Sequence, residues 1–345
     1  MVNPYDSEAI IDPNASSRKK DHIELAFSSR VAVGMMDQRF DYESAISGHP
    51  ESNALPLTTF LGFSFRIPVW VSSMTGGTEH ASTINSNLAR ACGEFGMGMG
   101  LGSCRQLLYS DDYLKDFSVK KLMPDQPLFA NLGIAQLEQL VHDNHFLKIS
   151  DLVSKLDADG LIVHINPMQE WLQPEGDRYY KSPVETIQRI LEKTSIPIIV
   201  KEVGQGMGPQ SLSALMQLPL AAVDFAASGG TNFALLELLR SSEMHRDALA
   251  CLANVGHCAG EMLDIINGLQ STIPEKLLCK QIIISGGINN FLDGYYLISK
   301  SKIPAVYGQA SAFLKYATGD YDTLRQYVET QKHGLEMAYT FLKIK

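Results

Sequence analysis

Polar side chains concentrate in one stretch of the chain, from His164 to Arg178 (HINPMQEWLQPEGDR). The stretch follows an apolar run, residues 160–163, of the kind that forms a buried strand. Two prolines stiffen it, and a glycine permits a tight turn, so its imidazole, amide and carboxylate groups are predicted to be held in fixed positions. Such groups can bind a metal ion or exchange protons. We therefore predict that this stretch is the reaction centre.

Its individual side chains also allow structural interpretations. His164 alone is as readily a hydrogen-bonded core histidine as a catalyst. Glu170 and Glu175 could bind Mg²⁺ or act as acid or base, but Glu175 is equally well explained as a brace for the loop.

The elements that must position these groups show a regular rhythm from residue 68 onward. Most neighbouring apolar runs begin roughly 25–35 residues apart, the length of one βα unit, and each ends in a polar or glycine-rich corner. Eight such units predict an α/β fold, a (β/α)₈ TIM barrel, with its active site at the carboxyl ends of the strands. The eight runs are residues 69–74, 97–101, 128–131, 161–166, 198–201, 222–227, 281–285 and 305–308.

The rest of the chain is predicted to be organised around this barrel. Residues 1–67 are predicted to form an N-terminal extension with a basic segment, and residues 68–345 the barrel, as one domain overall. Residues 24–67, which include short strand-like pieces at 58–65, are predicted to form an entry segment that covers the bottom or side of the barrel. The long gap between the sixth and seventh runs, residues 228–280, predicts an extra helix.

Glycine corners follow the seventh and eighth runs, at Gly286-Gly287 and Gly308-Gln309-Ala310. Barrels commonly bind a phosphate there through backbone N–H groups. Lys201, at the end of an apolar run, is costly to bury and would need an anionic partner, unless it emerges into solvent at the rim. A phosphate site together with an inward cation is what a flavin mononucleotide (FMN) site requires.

Composition narrows the partners and the compartment. A net charge of −9 and a pI near 5.5 argue against nucleic-acid or anionic-membrane partners. Five dispersed cysteines without a CxxC pair favour a reducing cytoplasm over a disulfide framework or a zinc cluster. With no apolar run of signal-peptide or membrane-spanning length, we expect a soluble cytoplasmic protein.

Eight motifs, in their order and spacing, closely resemble the type 2 isopentenyl diphosphate isomerases. They are RKKDHI, SMTGG, GSCR, FANLG, HINPMQEWLQPEGDR, KEVGQGM, SGGTN and SGGI, and they span about residues 18 to 315. The resemblance implies an FMN-dependent (β/α)₈ enzyme of isoprenoid biosynthesis. It would interconvert isopentenyl and dimethylallyl diphosphate with reduced FMN and Mg²⁺, with NADPH as reductant and no net redox change.

The resemblance also implies roles for individual residues. Gln169 would lie by the allylic carbon, and His164 is the second catalytic candidate. Glu170 would bind Mg²⁺. The substrate would be bound by Arg18, Lys19, His22, Asn166 and Gln169. FMN would be bound by Met74, Thr75, Ser103, Asn131, Lys201, Thr231, Gly286, Gly287 and Ala310. A homotetramer or homo-octamer is implied.

Three features of the sequence weaken the functional roles that the resemblance implies. The basic cluster of residues 18–23, taken alone, is more often a solvated helix start than an anion site. Asn289 and Phe291 stand where the family commonly has a basic residue and a glycine, so we expect weaker FMN binding. Asn232-Phe233 replace the usual Ser-Trp near the flavin edge.

Two alternatives remain open. One is an FMN barrel oxidoreductase of the α-hydroxy-acid type, but such enzymes place a catalytic His and Arg where this chain has residues 228–232, SGGTN. The other is a barrel that binds FMN or a prenyl diphosphate without catalysis. A binding role alone would not require His164, Gln169 and Glu170 together.

Overall fold

A computed structural model describes residues 14–51, 54–73 and 80–345 of the chain. The described residues divide into two compact units, one comprising those up to 41 together with residue 345, the other residues 42–344. The first unit contains helix α1 (Ala15–Leu25) and a 3₁₀ turn (Val33–Met35). Strand β1 (Phe40–Tyr42) falls where the two units meet in the sequence. The predicted domain boundary at residue 67 stays a prediction.

The second unit opens with a hairpin and continues into the barrel. Strands β2 (Thr58–Phe60) and β3 (Phe63–Phe65) pair antiparallel. Eight parallel strands then form a closed barrel in the order β10-β11-β4-β5-β6-β7-β8-β9, which confirms the predicted (β/α)₈ fold. The barrel strands are β4 (Val69–Val71), β5 (Gly98–Gly100), β6 (Leu128–Gly133), β7 (Gly160–His164), β8 (Ile198–Lys201), β9 (Ala222–Asp224), β10 (Ile282–Ser285) and β11 (Ala305–Gln309).

Helices connect successive barrel strands. The predicted additional helix between the sixth and seventh strands is confirmed, because α9, α10 and α11 all lie there. The helices are α2 (Ala81–Phe95), α3 (Leu114–Phe117), α4 (Ile134–His142), α5 (Leu147–Lys155), α6 (Pro167–Leu172), α7 (Pro183–Lys193), α8 (Pro209–Met216), α9 (Phe233–Arg240), α10 (Glu243–Leu249), α11 (Ala259–Thr272), α12 (Phe291–Lys300), α13 (Ser311–Ala317) and α14 (Tyr321–Phe341), followed by strand β12 (Leu342–Ile344).

The helices cover the strands with one apolar face. In α2, Ile84, Leu88, Ala91 and Phe95 are buried, and their spacing of three and four residues places them on one side of the helix. The described helices include none that is both long and apolar enough to cross a lipid bilayer.

The β2–β3 hairpin closes the amino-terminal end of the barrel, as the sequence predicted for residues 58–65. Phe60 and Phe65 are fully buried and meet edge to face, with ring centroids 5.7 Å apart. They pack against the lowest inward-facing layer of the strands, and the Leu61 N–H donates to Gln281 Oε1 at 2.7 Å. We call this layer the apolar floor. It comprises Trp70, Phe129, Ile162, Ile199, Ala222, Ile283 and Val306.

The contribution of the β2–β3 hairpin to the stability of the barrel can be tested by mutation. Phe65→Ala should reduce the free energy of unfolding by about 3–5 kcal/mol, because it removes a buried ring and leaves a cavity under the barrel. Urea denaturation of the variant and wild type measures the loss. Ser64→Ala, on the exposed face of the same strand, is the matched control and should change stability by less than about 0.5 kcal/mol. A loss at Phe65 no larger than at Ser64 would show that the hairpin does not support the barrel.

Candidate active site

A layer of polar side chains lies directly above the apolar floor. Successive residues of a strand face opposite sides, so the residue two positions beyond each floor residue also faces into the barrel. The floor positions Ile162 and Ile199, for example, are followed by His164 and Lys201. We call this set the polar layer: Ser72, Asn131, His164, Lys201, Asp224 and Ser285.

His164 is held by its neighbour in the polar layer. Asn131 Nδ2 donates to the Leu101 carbonyl at 2.9 Å, which turns Asn131 Oδ1 toward His164 Nδ1 at 2.8 Å. Burial, aided by the positive charge of Lys201, lowers the pKa of His164 to about 3. The imidazole is therefore neutral at physiological pH, with Nδ1–H as donor to Asn131 and Nε2 as an acceptor.

Lys201 is buried. Its sequence position had allowed two interpretations, a buried cation or a cation solvated at the rim, and the structure shows the first. Its Nζ donates to the Glu202 carbonyl at 2.6 Å. Burial lowers the pKa of Lys201, and the charges of Asp224 and Glu202 oppose that change. On neighbouring strands, Lys201 is in register with both His164 and Asp224.

Asp224 is a member of the polar layer that sequence reasoning missed. It is fully buried, and the Ser285 hydroxyl donates to its Oδ1. Ser285 Oγ in turn accepts the Ala226 N–H at 2.8 Å. Burial raises the pKa of Asp224, whereas the Lys201 charge and these hydrogen bonds oppose the rise. The only sequence signal was one acid within an apolar run, which was interpreted as part of a strand.

A cavity of about 400 Å³ opens above one side of the polar layer, at the carboxyl ends of β8 to β11 and β4. Ligand pockets of drug-sized molecules are typically about 300–1,000 Å³. Five of the nine predicted FMN residues line the cavity, on four separate corners: Lys201, Thr231, Gly286, Gly287 and Ala310. Phe233, one of the departures from the family pattern, also lines it.

The backbone after β10 requires glycine at the cavity wall. Gly286 has a φ of +87°, and a Cβ at this position would collide with the Ala227 carbonyl oxygen. Because no side chain intervenes, the main chain itself forms the surface offered to a ligand. Asn289 lines the same end of the cavity, where its N–H donates to Asp293 Oδ2 at 3.0 Å.

Several cavity groups have no hydrogen-bond partner among the described residues although they are buried. They are Ser72 Oγ, Ser73 Oγ and Gln309 Oε1. Buried polar atoms are normally paired, so unpaired ones on residues that line the cavity fit a ligand with several hydrogen-bonding atoms, as a flavin ring has. The glycine wall, the buried cation and these atoms therefore fit FMN.

The other predicted FMN residues lie elsewhere or are not described. Asn131 is in the polar layer, outside the cavity wall, and Ser103 is exposed at the corner after β5. Met74 and Thr75 lie outside the described residues.

Within the predicted reaction centre, residues 164–178, side chains on and beside α6 form a compact hydrogen-bonded cluster. Asn166 Nδ2 donates to Gln169 Oε1 at 3.1 Å and to Glu170 Oε1 at 3.0 Å. Glu170 Oε2 accepts the Asp177 N–H at 2.7 Å. The structure thus brings together the predicted substrate residues Asn166 and Gln169 with the predicted metal ligand Glu170.

Glu237 on α9 completes this cluster and was not predicted. Although buried, its carboxylate accepts from Gln169 Nε2 at 3.5 Å and from Arg240 Nη1 at 2.6 Å. Arg240 Nη2 also donates to Glu175 Oε1 at 2.8 Å, so Glu175 braces the loop. A charged residue on the buried face of a helix was the available sequence signal.

A second connection ties the loop to the corner after β5. Asp177 Oδ2 accepts from Arg105 Nη1 at 2.6 Å and from Gln136 Nε2 at 2.8 Å. Arg105 therefore places a cation at the strand end beside the loop, another functional candidate that sequence reasoning did not single out.

Metal ligands are few in the part of the chain that the structure describes, which contains no group of three His, Cys, Asp or Glu side chains arranged to hold a metal ion. Mg²⁺ is often bound by one or two carboxylates together with substrate phosphates, so Glu170 alone fits a metal that arrives with its substrate. Arg18, Lys19 and His22 are exposed on α1, in the first unit.

The fold and site define a (β/α)₈-barrel enzyme with its ligand cavity at the carboxyl ends of the strands. No protein-family model matches the chain. It is, however, 36% identical over 311 residues to an isopentenyl-diphosphate delta-isomerase of Rickettsia peacockii, covering 87% of this chain and 85% of the relative. The same-named enzyme of Rickettsia felis is 34% identical over 316 residues, covering 90% and 88%. The chain belongs to the isopentenyl-diphosphate delta-isomerases, which confirms the resemblance of its motifs.

Solved structures with the same fold are more distant in sequence. A mandelate oxidase variant with a monooxide FMN adduct has a TM-score of 0.55 at 12% identity, covering 84% of each chain. A flavocytochrome b2 variant with sulfite bound has a TM-score of 0.57 at 15% identity, covering 87% of this chain and 70% of the other. At this identity the similarity extends to the fold alone.

The depressed pKa of His164 yields a prediction on stability. As pH falls below the ordinary histidine pKa of 6.5 toward about 3, the unfolded chain takes up a proton at residue 164 that the folded chain does not. The wild type should therefore lose stability across this window, and His164→Gln should lose less. Urea denaturation at a series of pH values measures the slope. His142→Gln, at an exposed histidine, is the control, and equal slopes in all three proteins would contradict the burial of a neutral imidazole.

Proposed function

We propose that the protein interconverts isopentenyl diphosphate and dimethylallyl diphosphate by proton addition and removal, with bound reduced FMN and Mg²⁺. The observation that carries the proposal is the meeting of Asn166, Gln169, Glu170 and Glu237 in one cluster at the barrel mouth. The cluster adjoins the polar layer whose Lys201 lines the cavity. The names of the Rickettsia relatives support this substrate pair.

The cavity residues support the choice of cofactor. The FMN phosphate would lie against the main chain of Gly286 and Gly287 and the corner at Ala310, and the ring would extend toward Lys201. Bound in reduced form, FMN would supply a transferable proton and an electron-rich face that stabilises positive charge developing on the alkene. Lys201 would favour the anionic reduced ring, because a buried cation acts through a low dielectric. Cofactor and substrate bound in the barrel mouth would exclude water from the reacting carbons.

The loop residues would position the substrate and its metal. Glu170 would bind Mg²⁺ together with the diphosphate. Arg18, Lys19 and His22 would bind the diphosphate with help from Asn166. Gln169 would face the allylic carbon, and its amide is held from two sides, by Asn166 at 3.1 Å and by Glu237 at 3.5 Å. Neutral His164 would keep Nε2 as a hydrogen-bond acceptor at the end of β7, beside these loop residues.

Several further properties belong to the same proposal. NADPH would serve as the reductant of FMN, since the isomerisation itself has no net redox change. The resemblance supports a homotetramer or homo-octamer. A cytoplasmic location is consistent with five cysteines that are all unpaired.

The decisive experiment is an anaerobic assay of the FMN-loaded protein, reduced with NADPH and supplied with Mg²⁺ and isopentenyl diphosphate. Formation of dimethylallyl diphosphate supports the proposal. An absence of turnover at full FMN occupancy would instead support a binding protein without catalysis. Oxidation of a 2-hydroxy acid would support the α-hydroxy-acid alternative, although residues 228–232 supply no catalytic base.

Glu170→Gln should abolish the Mg²⁺-dependent activity and leave FMN bound, because it removes the carboxylate charge but keeps the side-chain shape. Turnover as a function of Mg²⁺ concentration, with the flavin absorbance as occupancy check, measures this. Glu175→Gln makes the same change in the same loop and should keep the metal dependence. Full activity of Glu170→Gln would remove Glu170 from the metal role.

Arg18→Ala with Lys19→Ala should raise KM for isopentenyl diphosphate at least about tenfold, as expected for the loss of charge-assisted contacts to a diphosphate. Stability should hardly change, because both side chains are exposed. Lys20→Ala, at a neighbouring lysine 3.7 Å from Glu24, is the control. If KM is unchanged in the double variant, the cluster is a solvated helix face.

A further inference from the structure

We propose that Asp224 controls how strongly the charge of Lys201 acts on an anionic ring in the cavity. Asp224 would be a positioning residue, since it acts through Lys201 and does not itself line the cavity. The proposal rests on the proposed binding of FMN. It gives Asp224 a role in the site, whereas the sequence had indicated none.

The geometry places the two charges on neighbouring strands at one level of the barrel. Lys201 on β8 is in register with Asp224 on β9. Lys201 lines the cavity and is 8% exposed, whereas Asp224 beside it is completely buried and does not line the cavity. Among the described residues, one acceptor is within hydrogen-bond distance of Lys201 Nζ, the Glu202 carbonyl. An ammonium group has three N–H donors, so two remain for an anion in the cavity.

The carboxylate is only partly satisfied by hydrogen bonds. Ser285 donates to Asp224 Oδ1, but Oδ2 has no partner among the described residues although it is buried. A buried carboxylate is stable when a nearby opposite charge offsets its desolvation. Lys201 provides that charge, and the attraction acts on both groups: it opposes the effects of burial on the pKa of Asp224 and on the pKa of Lys201.

The charge of Asp224 changes the electric field that Lys201 exerts on a ligand bound above it. An ionised Asp224 cancels part of the cation's field, so an anionic ring interacts with a charge pair instead of a bare cation. Asp224→Asn keeps the shape and removes the negative charge, which should strengthen the attraction for an anionic ring. Ser285→Ala removes the donor to Oδ1 and so favours the protonated carboxyl, which should act in the same direction but more weakly.

Sulfite binding to the oxidised, FMN-loaded protein tests this without turnover. Sulfite adds reversibly to the oxidised ring with its own electron pair, so the negative charge passes to the ring beside the cation. We expect the sulfite Kd to fall about tenfold in Asp224→Asn, equivalent to about one pK unit of interaction, and less in Ser285→Ala. Asp116→Asn, at a buried aspartate that does not line the cavity, should leave the Kd unchanged. An unchanged or higher Kd in Asp224→Asn would overturn the proposal.

A second measurement uses flavin-free protein. In a double-mutant cycle with Lys201→Met and Asp224→Asn, urea denaturation should show the double variant to be less destabilised than the sum of the single variants, because each single change leaves one buried charge with less opposite charge nearby. Additive losses would overturn the proposal even if Asp224→Asn failed to take up FMN. Failure of the wild type to bind FMN would refute the proposed cofactor, while coupling in the cycle would still support the charge pair.

Discussion

A lysine held inside the mouth of the barrel is the interaction on which the site depends. Burying a cation costs several kcal/mol unless opposite charge and hydrogen bonds compensate it. Here the compensation comes from the Glu202 carbonyl and from the charges of Asp224 and Glu202, and the same positive charge helps to keep His164 neutral. Burial is the main cause of the pKa shifts of His164 and Asp224, and the charge of Lys201 between them lowers both pKa values. The apolar floor below these residues excludes water from that side.

The fold was predictable because its signals are local. Apolar runs of strand length recur at the spacing of a βα unit, and their carboxyl ends must converge once the sheet closes. The same logic located the glycine corner at Gly286 and identified Lys201 as a costly residue to bury. Strand ends were less predictable: the run at residues 222–227 ends as a strand at Asp224, because the backbone turns at Ala226, whose φ is +40°.

The remaining parts of the site depend on contacts between distant parts of the chain. Glu237 lies 68 residues beyond Gln169 and joins it only because α9 packs beside α6. Asp224 looked like one acid in a strand, since nothing in the sequence states which strand lies next to Lys201. The extra helices after β9 were predicted as one element of unknown position, so the brace from Arg240 to Glu175 could not be inferred. The roles of the predicted site residues stay predictions.

One feature of the barrel floor constrains how this sequence can change over evolution. Gly98 faces inward on β5, and a Cβ there would lie 2.5 Å from the Trp70 ring on β4, so the indole occupies the volume that a side chain on β5 would fill. Trp70 and Gly98 are therefore epistatic. A larger residue at 98 becomes acceptable only when the tryptophan is reduced and the Phe65 ring, 2.8 Å from the same Cβ, shifts, whereas reducing the tryptophan alone leaves a void. Homologues should therefore change positions 70 and 98 together, with position 65 adjusting to them, so that their summed volume is conserved rather than any one residue.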